Sequence, residues 1–104
     1  MAKGLQNLMK QAQELQKRLE RVQEELGNME VEATSGGGMV KVVANGKQEV
    51  LDIKIDKEVI NPEDKEMLED LVLAAVNEAL RKSRELASEE MSKVTGGMMP
   101  PQFM

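Results

Sequence analysis

Apolar residues recur from the start of the chain at Leu5, Leu8, Ala12, Leu15, Leu19, Val22, Leu26 and Met29, in alternating steps of three and four. That is a heptad seam, the pattern of a helix lying along another helix. Gln, Lys, Glu and Arg fill the positions between, so the spacing predicts a helix from about Lys3 to Glu25, roughly 35 Å long. Gly27 and Asn28 end it. The period then changes. Met29 to Ala33 alternates apolar with acidic residues, as a half-buried strand does. Ser35-Gly36-Gly37-Gly38 interrupts it as an inter-strand turn. Two further β-rich runs, Met39 to Ala44 and Lys47 to Asp56, flank Asn45-Gly46. Asn-Gly there predicts a two-residue type I′ hairpin, which would pair Val40 with Leu51 and Val42 with Glu49. One sheet face would collect Val40, Val42, Leu51, Ile53 and Ile55.

Asn61-Pro62-Glu63-Asp64 opens a second helix, with Asn as N-cap, Pro in the first turn and acids beside the positive end of the dipole. Its stripe of Leu68, Leu71, Val72, Ala75, Val76, Ala79 and Leu80 is broad enough to need cover from both the sheet and another helix. Beyond it the stripe thins to Leu86, Ala87, Met91 and Val94. The expected fold class is α+β, an α-β-β-β-α subunit in which two long helices flank a three-stranded antiparallel meander. Residues 1–95 form one domain and residues 96–104 an irregular tail whose Met residues and Phe103 could dock elsewhere. The first helix enters the sheet by its C-terminus and the second leaves it, so their far ends converge at one pole. Thin seams there call for pairing within the chain or with a second copy, and a homodimer is expected. The residues for core and dimer seams are Leu8, Leu15, Leu19, Val22, Leu68, Val72, Ala75 and Ala79.

Composition removes most alternatives. The 104 residues include no His, Cys, Trp or Tyr and one Phe. Disulfide, thiolate and zinc chemistry are excluded, as is the usual general base. Stacking of single-stranded bases has almost no aromatic platform. Carboxylate pairs such as Glu63-Asp64 and Glu89-Glu90 lie on helix surfaces, Asp52, Asp56 and Glu58 lack a calcium-loop pattern, and the glycine run is followed by a strand without Gly-Lys-Ser/Thr. No enzyme activity, cofactor, metal or small-molecule substrate is expected. No apolar run reaches the ~20 residues that span a bilayer, and no signal core is present, so a soluble cytoplasmic protein with no membrane partner is expected.

The formal net charge of −5 is unevenly spread. Residues 1–23 carry Lys3, Lys10, Lys17, Arg18 and Arg21 against Glu14 and Glu20, a net +3. Residues 24–60 net −4 and residues 61–80 net −5, while residues 81–95, with Arg81, Lys82, Arg84 and Lys93, net +1. The positive stretches are the two helix arms, and Lys3, Lys10 and Lys17 recur every seven residues opposite the seam. A dimer would present paired basic arms to a polyanion. Charge alone, however, favours a solvated helix surface, with pairs such as Glu14 with Arg18 or Lys82 with Glu85.

Specific residues go further. Ser35-Gly36-Gly37-Gly38-Met39-Val40-Lys41-Val42 with Asn45-Gly46, the run Leu68 to Ala79, and Thr95-Gly96-Gly97-Met98 with Pro100 occur in an order and spacing that resemble the YbaB/EbfC family of bacterial nucleoid-associated proteins. The resemblance runs from the heptad helix, at Met9-Lys10-Gln11-Ala12-Gln13, to the glycine tail. It implies a tweezer-like homodimer that binds double-stranded DNA with little sequence preference, alters its conformation, and influences nucleoid organisation and gene expression. It places DNA contacts at Lys3, Lys10, Lys17, Arg18 and Arg21 and at Arg81, Lys82 and Arg84 of the second helix. A rival reading is a chaperone-like module, since two helices joined by a β segment are also similar to prefoldin subunits, with Met9, Met98, Met99 and Phe103 to grip clients. A purely structural oligomeriser is a further alternative.

Overall fold

The computed structural model describes residues 2–96. Helix α1 spans Ala2–Leu26; strands β1 (Glu30–Ser35), β2 (Val40–Asn45) and β3 (Val50–Ile55) follow; helix α2 spans Lys65–Thr95. The order is α-β-β-β-α, and the strands form one antiparallel sheet in the order β1-β2-β3. The predicted tail beyond Gly96 lies outside the described residues.

Alternation decides which side of the sheet is covered. Ala33, Val40, Val42 and Ala44 point to one face and are buried, together with Ala75 and Ala79 of α2. Glu30, Glu32 and Thr34 point to the other face and are exposed. Alanines at 75 and 79, one turn apart, let α2 approach the sheet closely, with Leu68, Leu71, Val72 and Val76 closing the sides. The helix lies over β1 and β2 and barely reaches β3. Beyond the sheet α2 continues for three turns and packs against α1, so the chain is an elongated body of 74 × 24 × 16 Å.

The hairpin register corrects the sequence expectation. Val40 pairs with Ile55 rather than Leu51, and Val42 with Ile53 rather than Glu49. The connection is no two-residue type I′ turn, because the left-handed residue is Gln48 (φ 63°) and neither Asn45 nor Gly46. Asn45 organises a longer loop: its Oδ1 accepts from the N–H of Lys47 (2.9 Å) and of Glu49 (3.1 Å), and its Nδ2 donates to Glu49 Oε1 (2.8 Å). Gly46 is needed for space. Its N–H donates to the carbonyls of Leu26 (2.8 Å) and Met29 (3.1 Å), and a Cβ there would stand 2.7 Å from Leu26 Cδ2. The glycine thus seats the end of α1 on the hairpin. The face assignment survives because the register moved by an even number of residues and side chains alternate with period two. Leu51 is the exception, left without an opposite residue by a bulge between the Val43–Asp52 and Ala44–Val50 pairs.

Two other boundaries shift. Strand β1 runs on to Ser35, whose Oγ donates to the Leu71 carbonyl at 2.6 Å and ties the strand end to α2. The start of the second helix is a relay of two caps. Asn61 accepts from Glu63 N–H to cap a short 3₁₀ turn over Pro62–Asp64, and Asp64 then accepts from Met67 N–H to cap α2. Gly96, left-handed at φ 62°, ends α2.

Candidate nucleic-acid interface

The two helices meet as an arm. Val94, near the end of α2, borders a cleft with Leu8, Ala12, Leu15 and Arg18 of α1, and a second cleft with Arg21 and Val22. The far ends of both helices therefore share one pole, away from the sheet. Leu15, Leu19 and Val22 are half-buried in this pairing. Leu8 is not, and Ala75 and Ala79 belong wholly to the sheet core, with Leu68 and Val72 at its edge. The expected seam thus divides into an arm contact and a body contact.

Two side chains fix where the arm leaves the body. Ser83, fully buried, donates through Oγ to the Asn45 carbonyl (2.7 Å) and accepts from Gln48 N–H (3.0 Å), bolting the middle of α2 to the β2–β3 loop. Lys82 Nζ donates to the Glu32 carbonyl of β1 at 2.7 Å.

The expected contact residues separate by their partners. Lys3, Lys10, Lys17, Arg18 and Arg21 are all exposed on α1, and among the described residues none is held in an ion pair. Arg84 on α2 is likewise exposed and unpaired. The expected Glu14–Arg18 pair is absent, so Arg18 stays free. Arg81 is engaged on both sides, by Glu78 and by Glu85. Its hydrogen bond to Glu78 raises the guanidinium further above its already high range and holds the Glu78 carboxyl below the ordinary carboxylate value. Glu85 therefore pairs with Arg81 and not with Lys82, which is spent on the β1 carbonyl. In the body, Lys41 pairs with Glu32 and Lys65 with Glu69. The free cations of α1 and Arg84 make up the arm's available positive surface.

The chain matches the model of the YbaB/EbfC DNA-binding family over residues 1–98. It belongs to that family. A nucleoid-associated protein of Syntrophobacter fumaroxidans is 54% identical over 101 residues, covering 97% of this chain and 91% of that protein. One of Ruminiclostridium cellulolyticum is 55% identical over 102 residues, covering 96% and 89%. A crystal structure of an uncharacterized protein from Helicobacter pylori superposes with a TM-score of 0.71 at 28% identity, over 79% of this chain and 86% of that one. The motifs around Gly36–Gly38 and Gly46 that a YbaB/EbfC chain carries here have structural work to do. All three glycines of the first run have positive φ (59°, 67° and 94°), and Gly36 sits under Leu71.

The sequence offered less warning of a second surface. Leu73 lies outside the apolar stripe of α2, yet it is 59% exposed beside Ile55, Leu68, Val72 and Val76 in an almost wholly apolar groove. Ile53, on the same face of β3 as Ile55, is also exposed. The sequence put Ile53 and Ile55 on one sheet face and Leu68, Val72 and Val76 in a stripe too broad for one cover, but Leu73 stands off that stripe.

Proposed function

We propose that this YbaB/EbfC-family protein binds duplex DNA as a homodimer, through phosphate contacts from paired basic arms and with little sequence preference. The observation that carries the reading is the concentration of free cations on the arm: Lys3, Lys10, Lys17, Arg18, Arg21 and Arg84 are exposed there and in no ion pair, whereas the body, where Lys47, Lys54 and Lys57 are also unpaired, is acidic in balance. Free cations release condensed counterions on meeting phosphate; paired ones must first give up a carboxylate. Arg81 is engaged by two carboxylates of its own helix and Lys82 by the Glu32 carbonyl of β1, so of the expected contacts these two have the least free charge to offer a phosphate. A chain almost without aromatic residues gives little direct base readout, so position on DNA follows its shape and bendability. Binding of this kind bends or bridges duplexes, which places the protein on the nucleoid in the cytoplasm and couples it to gene expression. No catalytic step, cofactor or small-molecule substrate enters this reading.

The groove of Ile55, Val72 and Leu73, with exposed Ile53 beside it on β3, is the surface a second copy would cover. It sits on the body, so pairing there leaves both arms free. Ile53→Asp should convert a dimer to a monomer by light scattering and weaken DNA binding by removing one arm. A variant that stays dimeric would move the interface elsewhere.

Replacing Lys10, Lys17 and Arg21 together by Glu tests the DNA reading. Affinity should fall uniformly across unrelated duplexes, while Arg81→Gln changes it little. Undiminished binding by the triple variant would sink the reading. The exposed Leu5, Leu8 and Met9 at the arm's end favour a second reading, a client-gripping tip in the manner of prefoldin. Capture of a denatured protein that Leu8→Asp abolishes would support it.

A further inference from the structure

The outer end of α1 keeps the helix-pairing register where, among the described residues, no helix covers it. Leu5, Leu8, Ala12 and Leu15 occupy the a and d positions of its heptads, yet only Leu15 is half-buried. Leu5 is 61% and Leu8 64% exposed, and Ala12 is exposed beside them. Helix α2 stops at the inner edge of this stripe. Val94 borders the cleft with Leu8, Ala12 and Leu15, and Gly96, left-handed at φ 62°, ends the helix there. Charge around the stripe is placed with equal regularity. Between residues 3 and 13 the only charged side chains are Lys3 and Lys10, seven residues apart on the side opposite the seam. The positions flanking the stripe are Gly4, Met9 and Gln11, all uncharged, and charge returns to a flanking position only at Arg18.

We propose that the α1 tips of neighbouring dimers pair with one another when those dimers lie on one duplex, joining bound dimers in a row; this rests on the DNA-binding reading above. The register points to a helix as the occupant, because a and d residues insert between those of a facing heptad helix. The charge placement points to a second copy. Two positive arms repel wherever their lysines face each other. An antiparallel meeting instead sets Leu5 of one copy beside Leu8 of the other and Leu8 beside Leu5, with uncharged flanks between them and the lysines turned outward. An acidic partner would find no cation on this face, and the lysines stay available to phosphate while the tips touch. The size of the stripe decides when the contact forms. About ten residues of helix are about 15 Å long, and a strip of that length on one helix cannot bury the roughly 1,200 Å² of a specific, lasting interface. Free dimers therefore stay apart. On a duplex, phosphates neutralise the repulsion between arms and hold neighbouring tips at high local concentration, which a contact this small requires.

Duplexes of two lengths test this on the full chain, one just long enough for a single dimer and one several times longer, both of unrelated sequence. The wild-type chain should bind the long duplex cooperatively. Leu5→Gln together with Leu8→Gln removes the stripe without adding charge and keeps good helix formers in place. That variant should lose the cooperativity and need about fivefold or more protein to half-saturate the long duplex, while its affinity for the short one is unchanged. Equal cooperativity in the variant, or none in the wild type, would overturn the proposal and leave the DNA reading standing. Equal weakening on both duplexes would also overturn it, since the stripe would then act within one dimer or against the DNA itself. A wild-type chain that binds neither duplex would overturn the DNA reading and this inference together.

Discussion

Gly46 and Arg81 show how single residues here act through what they touch. Gly46 lets the carbonyl and side chain of Leu26 press onto the hairpin loop, and its N–H closes that contact with two hydrogen bonds. Gly46→Ala forces a methyl to within 2.9 Å of the Leu26 carbonyl, a backbone atom with little room to retreat. It should cost about 1–3 kcal/mol in denaturant unfolding, typical of overpacking at a tight site. Arg81 holds the Glu78 carboxyl below its ordinary range. Because the folded-state value is the lower one, the stabilisation from this pair is present above the unfolded carboxylate value and disappears as pH falls through the folded one. Arg81→Gln should move the Glu78 titration, followed by NMR of its side-chain carboxyl carbon, upward toward the ordinary carboxylate range. An unmoved titration would mean that Arg81 is not its cause.

At the scale of elements, the joint between α2 and the β2–β3 loop sets the direction of the arm. Ser83 makes both of its hydrogen bonds with that loop from a fully buried position. Ser83→Ala leaves the Gln48 N–H and the Asn45 carbonyl short of a partner and should destabilise the protein by about 1–3 kcal/mol. Amide exchange should accelerate first in the loop residues 46–49. The elements themselves were largely legible in the chain. The heptad steps from Leu5 to Leu26 marked α1, the alternation of Glu30 to Ala33 marked β1, and the stripe from Leu68 to Ala79 marked the buried side of α2. Local periodicity carries that information. The hairpin register was not legible, because Asn45-Gly46 is a turn signal only if the glycine serves the turn; here it serves the approach of Leu26, a contact made across the fold. The cations were readable as residue types and as an uneven distribution. Which of them were free was not, since Lys82 is engaged by a carbonyl fifty residues away in sequence.

The molecule as a whole separates its charges. Net charge is −5, yet the acids concentrate on the sheet and the first half of α2 while free lysines and arginines line the arm. On the proposed reading an acidic body would repel the duplex and confine it to the arms, and dimerisation through the uncovered side of β3 would hold two arms on one base. Five unpaired cations on each α1 would then set the scale of counterion release. The most direct test is duplex-DNA affinity measured across salt concentration on several unrelated sequences. The slope of log affinity against log salt should be about −4 or steeper, similar for all sequences, and distinctly shallower when Lys10, Lys17 and Arg21 are changed to Glu. Affinity that is indifferent to salt, or a slope that the triple variant leaves unchanged, would contradict the account.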